Sequence, residues 1–145
     1  MKGNRMKFFL GGLLSLLLVA CTTTPHTLVK EDDTPFVTGE LIHDKGANNS
    51  LVLQTDKHRY EARGFEVERQ TDLVALRERY FIADRKHWDR ILDGIDNDHT
   101  VFSVETTASS ADGSKMTCHF FWRSSTQPSG VCTDQAGTAF SVRFR

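Results

Sequence analysis

Lys115 to Arg123 reads KMTCHFFWR, and the fold follows from its alternation. Successive side chains of a strand point to opposite faces, so Met116, Cys118, Phe120 and Trp122 share one side while Thr117, His119, Phe121 and Arg123 share the other. Aromatic rings therefore stand on both faces. Two accounts fit: a central strand covered by a helix on one side and a loop on the other, or an exposed aromatic docking surface.

Downstream, Ser124 to Ser129 reads as a loop. A short strand follows around Val131-Cys132, then a turn at Asp134 to Gly137, then a last strand with Phe140, Val142 and Phe144 facing together. If the two cysteine-bearing strands pair antiparallel across the loop, Cys118 can sit opposite Cys132. Such a disulfide closes a loop of about 15 residues and contributes about 3 kcal/mol by the chain-entropy argument. Two buried free thiols are the alternative. Upstream, Asp112-Gly113 is a turn signal, and Thr100 to Thr107 is a strand with Phe102 and Val104 on one face.

The first half repeats this grammar. Phe36 to Ile42, Leu51 to Thr55 and Arg59 to Val67 read as three strands of a meander, with turns at His43 to Ser50 and Asp56 to His58 and a bulge signal at Gly64. The middle changes period. In Asp84 to Ile95, the residues Trp88, Ile91, Leu92 and Ile95 fall on one helical face, with Asp84 as N-cap and Gly94 as stop. Asp72 to Tyr80 offers a second helix through Leu73, Leu76 and Tyr80. The fold class is therefore α+β: mainly an antiparallel β-meander, with one or two helices inserted in the middle and one disulfide.

The N-terminus is of another kind. MKGNRMKFFLGGLLSLLLVAC places Lys2, Arg5 and Lys7 before an apolar run from Phe8 to Val19, and that run is short of the roughly 20 residues a transmembrane helix needs. Leu18-Val19-Ala20-Cys21 resembles the lipobox of bacterial lipoproteins: an aliphatic residue and a small residue before a cysteine. The resemblance implies that residues 1–20 are removed and that Cys21 takes diacylglycerol on its thiol and an acyl group on its amine. It covers residues 1–21 only. Thr22, rather than aspartate, after the cysteine implies delivery to the outer membrane, with the domain in the periplasm of a bacterial envelope.

Thr22 to Pro35 (TTTPHTLVKEDDTP) is polar and holds two of the three prolines. It reads as a tether that spans at most about 50 Å when extended. Three parts result: a signal over 1–20, a lipidated N-terminus and tether over 21–35, and one globular domain over 36–145. Cleavage also changes the charge balance. Losing Lys2, Arg5 and Lys7 from the chain's 18 basic residues leaves 15 against 19 acidic ones, a net of −4. An acidic chain with no basic stripe offers nothing to a phosphate backbone, so no nucleic-acid partner is expected. Three cysteines would be an odd count, but lipid on Cys21 leaves Cys118 and Cys132 as a pair.

Residues 112–140 are similar, in turn and strand grammar, to other small bacterial envelope lipoproteins, through Asp112-Gly113, Cys118, Gly130-Val131-Cys132 and Gly137-Thr138-Ala139-Phe140. That likeness implies a style of fold, not an activity.

Motifs for chemistry are sparse. His26, His43, His58, His87, His99 and His119 show no metal-ligand spacing, and a strand places Cys118 and His119 on opposite faces. Asp93, Asp96, Asn97 and Asp98 crowd one turn, but an EF-hand counted from Asp96 puts Val101 and Thr107 where glycine and glutamate belong, and one counted from Asp93 puts Asp98 and Val104 there. No nucleophile elbow, phosphate loop or zinc-protease motif occurs. We expect no catalytic residue, metal or cofactor. The expectation is a membrane-attached binding or assembly module whose partner is an envelope protein or polymer. Two alternatives stand beside it. One is an enzyme whose carboxylates or histidines meet only in space. The other is an inhibitor of a lytic enzyme, because lysozyme inhibitors are similarly small disulfide-bonded β lipoproteins. Those carry a serine-glycine loop leading to an aromatic residue, whereas Ser129-Gly130 here leads to Val131-Cys132-Thr133.

Overall fold

Alternating apolar residues build strands wherever one face can be buried, and here the strands run nearly the whole described length. The structure is a computed structural model that describes residues 23–44, 46–81, 85–95 and 100–145. In chain order come β1 (Thr24–Thr27), β2 (Phe36–His43), β3 (Ser50–Thr55), β4 (Arg59–Arg63), β5 (Glu68–Gln70), α1 (Leu73–Phe81), α2 (Arg85–Ile91), β6 (Val101–Ser109), β7 (Lys115–Arg123), β8 (Ser129–Asp134) and β9 (Ala139–Arg143). All pairings are antiparallel, in the order β1-β2-β3-β4-β6-β7-β8-β9, with β5 on β6. The expected α+β class holds, with both helices present.

The sheet closes on itself. Leu28 pairs with Phe144, and the backbone N–H groups of Thr27, Arg145 and Val29 donate to the carbonyls of Arg145, Thr27 and Arg143 at 3.0, 2.9 and 2.8 Å. Closure joins the first strand to the last and leaves a barrel whose interior takes one residue in two from each strand. Phe36, Leu41, Leu51, Leu53, Tyr60, Val104, Met116, Phe120, Val142 and Phe144 fill it. Fully burying side chains of this size stabilises by about 1.5–3 kcal/mol each.

This closure corrects the tether. Residues 24–29, expected to be linker within 21–35, form the strand that seals the barrel, and His26 and Leu28 are both buried. Their local sequence is polar and proline-bearing. The backbone pairing, with partners at residues 40–43 and 143–145, is what orders it. The domain therefore includes residues 24–29 and is not confined to 36–145. A second correction concerns Arg59 to Val67. Its strand ends at Arg63, and Gly64 turns the chain at φ 70° so that β5 leaves β4 for β6. The bulge lies elsewhere, between Phe36 and Thr38 in β2.

The helices cover the outside of β6 to β9. Asp72 Oδ1 accepts from the Ala75 N–H at 3.1 Å, capping α1. Leu73 and Leu76 of α1, then Trp88, Leu92 and Ile95, pack on Val101, Phe121 and Val131, with Ile91 half-buried beside them. Phe121 is thus a buried ring in edge contact with Tyr80 and Trp88, not an exposed docking surface. The covers differ from the expectation in one respect: the helices lie over one face of β7, and the barrel's other strands cover the opposite face. The expected N-cap Asp84 lies outside the described residues.

Cys118 and Cys132 face each other in register and are bonded inside the barrel, both fully buried. Two positions along the ladder, Gly130 pairs with Phe120, and a Cβ there would meet the His119 carbonyl oxygen at 1.8 Å. β7 and β8 can approach this closely only because that residue has no side chain.

Candidate functional site

One end of the barrel is built from the start of β1, the end of β2, the start of β6 and the end of β7. Register decides who meets there. Thr24 lies opposite His43 and His26 opposite Leu41, so the two imidazoles are diagonal neighbours on the inner face. Their Nε2 atoms are 3.0 Å apart, and the rings are nearly parallel at 14° with centres 5.0 Å apart. The nitrogens are nearer than the ring centres, so the rings meet nitrogen to nitrogen. One Nε2–H donates and the other Nε2 must be bare to accept.

The pair continues into an aromatic wall. His43 lies 4.9 Å from Trp122, and Trp122 stacks on Phe102 at 5.7 Å and 26°. Burial holds the His26 imidazole below its ordinary range, opposed by a hydrogen bond with Gln127. Burial lowers His43 as well, aided by the charge of His26 and opposed by Asp44. Both rings are thus biased toward the neutral state, and the nitrogen-to-nitrogen bond needs at least one of them neutral.

Between this wall and the loop after β2 lies a hollow of about 660 Å³. Thr24, His43, Asp44, Ala47, Glu66, Val67, Phe102 and Trp122 line it. The loop is held by Asn49, which is 1% exposed. Its Oδ1 accepts from the Asp44 N–H at 2.8 Å, and its Nδ2 donates to the carbonyls of Gly46 and Phe65 at 3.1 and 2.6 Å. One buried side chain thereby ties the β2–β3 loop to the segment leaving β4, and so fixes the mouth of the hollow.

Two further depressions lie outside the barrel. One, of about 260 Å³, runs between α2 and β8–β9 and carries Arg90, Asp93, Ser141 and the ion pair of Arg143 with Glu31. The other lies beside α1 and carries Glu66, Glu68, Asp72, Arg79, Tyr80 and Glu105. His119 adjoins it, with Nδ1 3.5 Å from the Tyr80 hydroxyl and 3.7 Å from Glu105. Burial lowers the His119 imidazole, Glu105 raises it and Arg79 lowers it. The Tyr80 hydroxyl is raised by burial first, so it stays protonated. These separations are long for hydrogen bonds.

Of the residues singled out by sequence, Cys118 and Cys132 are joined, and His119 lies on the face opposite Cys118. His58 pairs with Asp112 at 3.2 Å, and His87 Nδ1 meets Ser141 Oγ at 2.6 Å. Cys21, His99 and the cluster Asp96-Asn97-Asp98 lie outside the described residues. Among the described residues, no three of His, Cys, Asp and Glu gather as metal ligands, and no helix is long and apolar enough to cross a membrane. Ser129-Gly130 is not a loop: it opens β8, with Gly130 buried. The mouth was hidden from sequence reasoning because His26 stands in a polar run and 17 residues from His43. The buried alternation of His26 with Leu28 was the available signal.

Compared with family models, with characterised proteins and with solved structures, the chain finds no match.

Proposed function

We propose that this chain is a lipid-anchored protein of a bacterial envelope. Its barrel works as a non-catalytic binding module held close to the membrane, on the periplasmic side of the outer membrane. The observation that carries the reading is the sequence Leu18-Val19-Ala20-Cys21, preceded by a basic and then an apolar run and followed by a folded domain. Cysteine has the side chain whose sulfur can form a thioether with a diacylglyceryl group. Two or three acyl chains on one residue anchor a domain stably, where a single chain holds it only marginally.

The architecture supports binding rather than chemistry. The cysteines of the domain are consumed in a buried disulfide, and the histidine pair at the mouth is engaged with itself. The barrel carries a hollow with an aromatic wall at one end.

The intact mass of the protein taken from membranes tests the anchor: it should equal residues 21–145 plus the acyl groups, less two hydrogens for the disulfide. Cys21→Ser should release the protein from the membrane fraction, and a variant still processed and retained would overturn the anchor. The binding role is tested by crosslinking the lipidated protein in cells. A reproducible envelope partner supports it, and hydrolysis of an envelope polymer by the purified protein would overturn the non-catalytic reading.

A further inference from the structure

We infer that the hollow at the barrel mouth receives one of the acyl chains carried by Cys21; this rests on the lipid-anchor reading above. The starting point is chain length. β1 begins at Thr24, three residues after Cys21, and three residues reach at most about 11 Å even when extended. Thr24 itself lines the hollow. Whatever attaches at Cys21 therefore originates within that distance of Thr24.

The hollow suits a hydrocarbon chain. Its volume of about 660 Å³ falls among sites that enclose most of a small molecule. Val67, Phe102 and Trp122 supply carbon surface, with Phe102 and Val67 only partly buried by the barrel core. No cation is needed for such a guest, and the lining carboxylates, Asp44 and Glu66, give no reason to expect an anionic one. A chain that enters the hollow meets carbon surface on the side of Val67, Phe102 and Trp122. In doing so it covers aromatic surface that water otherwise wets. A residue with a diacylglyceryl group and an N-acyl group can lend one chain and still be held by two. The domain would then sit mouth-down on the membrane, fixed by its own lipid.

A fatty acid bearing a diazirine, fed to cells so that it enters the lipid on Cys21, tests this in the full-length processed protein. After irradiation of membranes, peptide mass spectrometry should find the label on Cys21 crosslinked within the same chain to Val67, Phe102 or Trp122. Val67→Asp should abolish those crosslinks while leaving the label on Cys21. Label on Cys21 with crosslinks confined to lipids or other proteins overturns the inference and leaves the anchor standing, as do crosslinks that persist in a folded Val67→Asp protein. Absence of label from Cys21 removes the anchor, and the inference with it. The wild-type crosslink map decides between these outcomes even if the variant does not fold.

Discussion

The Nε2 atoms of His26 and His43 meet at 3.0 Å inside one end of the barrel. Two imidazoles in this arrangement hold one proton between them. A second would set two N–H groups and two charges against each other in a partly desolvated site.

The domain should therefore lose stability as the solution is acidified through the histidine range. The folded-state values of His26, His43 and His119 all lie below the ordinary value, each with burial as the first cause. Between the folded and unfolded values the unfolded chain binds more protons, so stability rises with pH there. It should be complete above the unfolded imidazole value of about 6.5 and decline as pH falls toward the lower folded values. Thermal melts across this range should show the fall, and His26→Gln with His43→Gln should flatten it. An unchanged slope in the double variant would refute the role of the pair.

Asn49 should be the costliest polar residue to replace. Asn49→Ala leaves the Asp44 N–H and the Phe65 carbonyl without their partner, a loss of about 2–4 kcal/mol in urea unfolding. Asn49→Asp keeps the acceptor but points a carboxylate oxygen at the Phe65 carbonyl, so it should not rescue. Rescue by aspartate would mean that the bond to Asp44 alone holds the loop.

Gly130→Ala should destabilise by about 3 kcal/mol or more, because the methyl group meets the His119 carbonyl oxygen at 1.8 Å and backbone must move. Gly46→Ala has no such backbone obstacle, its nearest neighbour being the Asp44 carboxylate at 3.3 Å, and should change little. Equal costs at the two positions would contradict the close approach of β7 and β8.

Replacing Cys118 and Cys132 together by alanine should cost about 3 kcal/mol. The bridge joins neighbouring strands already paired in register, 14 residues apart, so the barrel should persist with its near-ultraviolet signal intact. Loss of that signal at low temperature would show that the bond is required for the fold itself.

Sequence alone settled the parts that depend on local period. The alternation in KMTCHFFWR identified β7 and its two faces, while the pairing that brings Cys132 to Cys118 stood there beside the alternative of two free thiols and was decided by the register. The spacing of Trp88, Leu92 and Ile95 identified which residues pack on the sheet, although α2 ends at Ile91 and Leu92 and Ile95 lie in the turn that follows. Those patterns are legible because a side chain's direction in a strand or helix follows from its place in the count. Tertiary structure decided the remainder. TPHTL is polar and proline-bearing, and it becomes a strand only because the edges of β2 and β9 offer unpaired N–H and C=O groups on either side. The register of β1 on β2 then brought His26 to His43 and set Thr24 beside the hollow. Pairing between distant segments is written in register and sheet closure, and neither leaves a period in the chain.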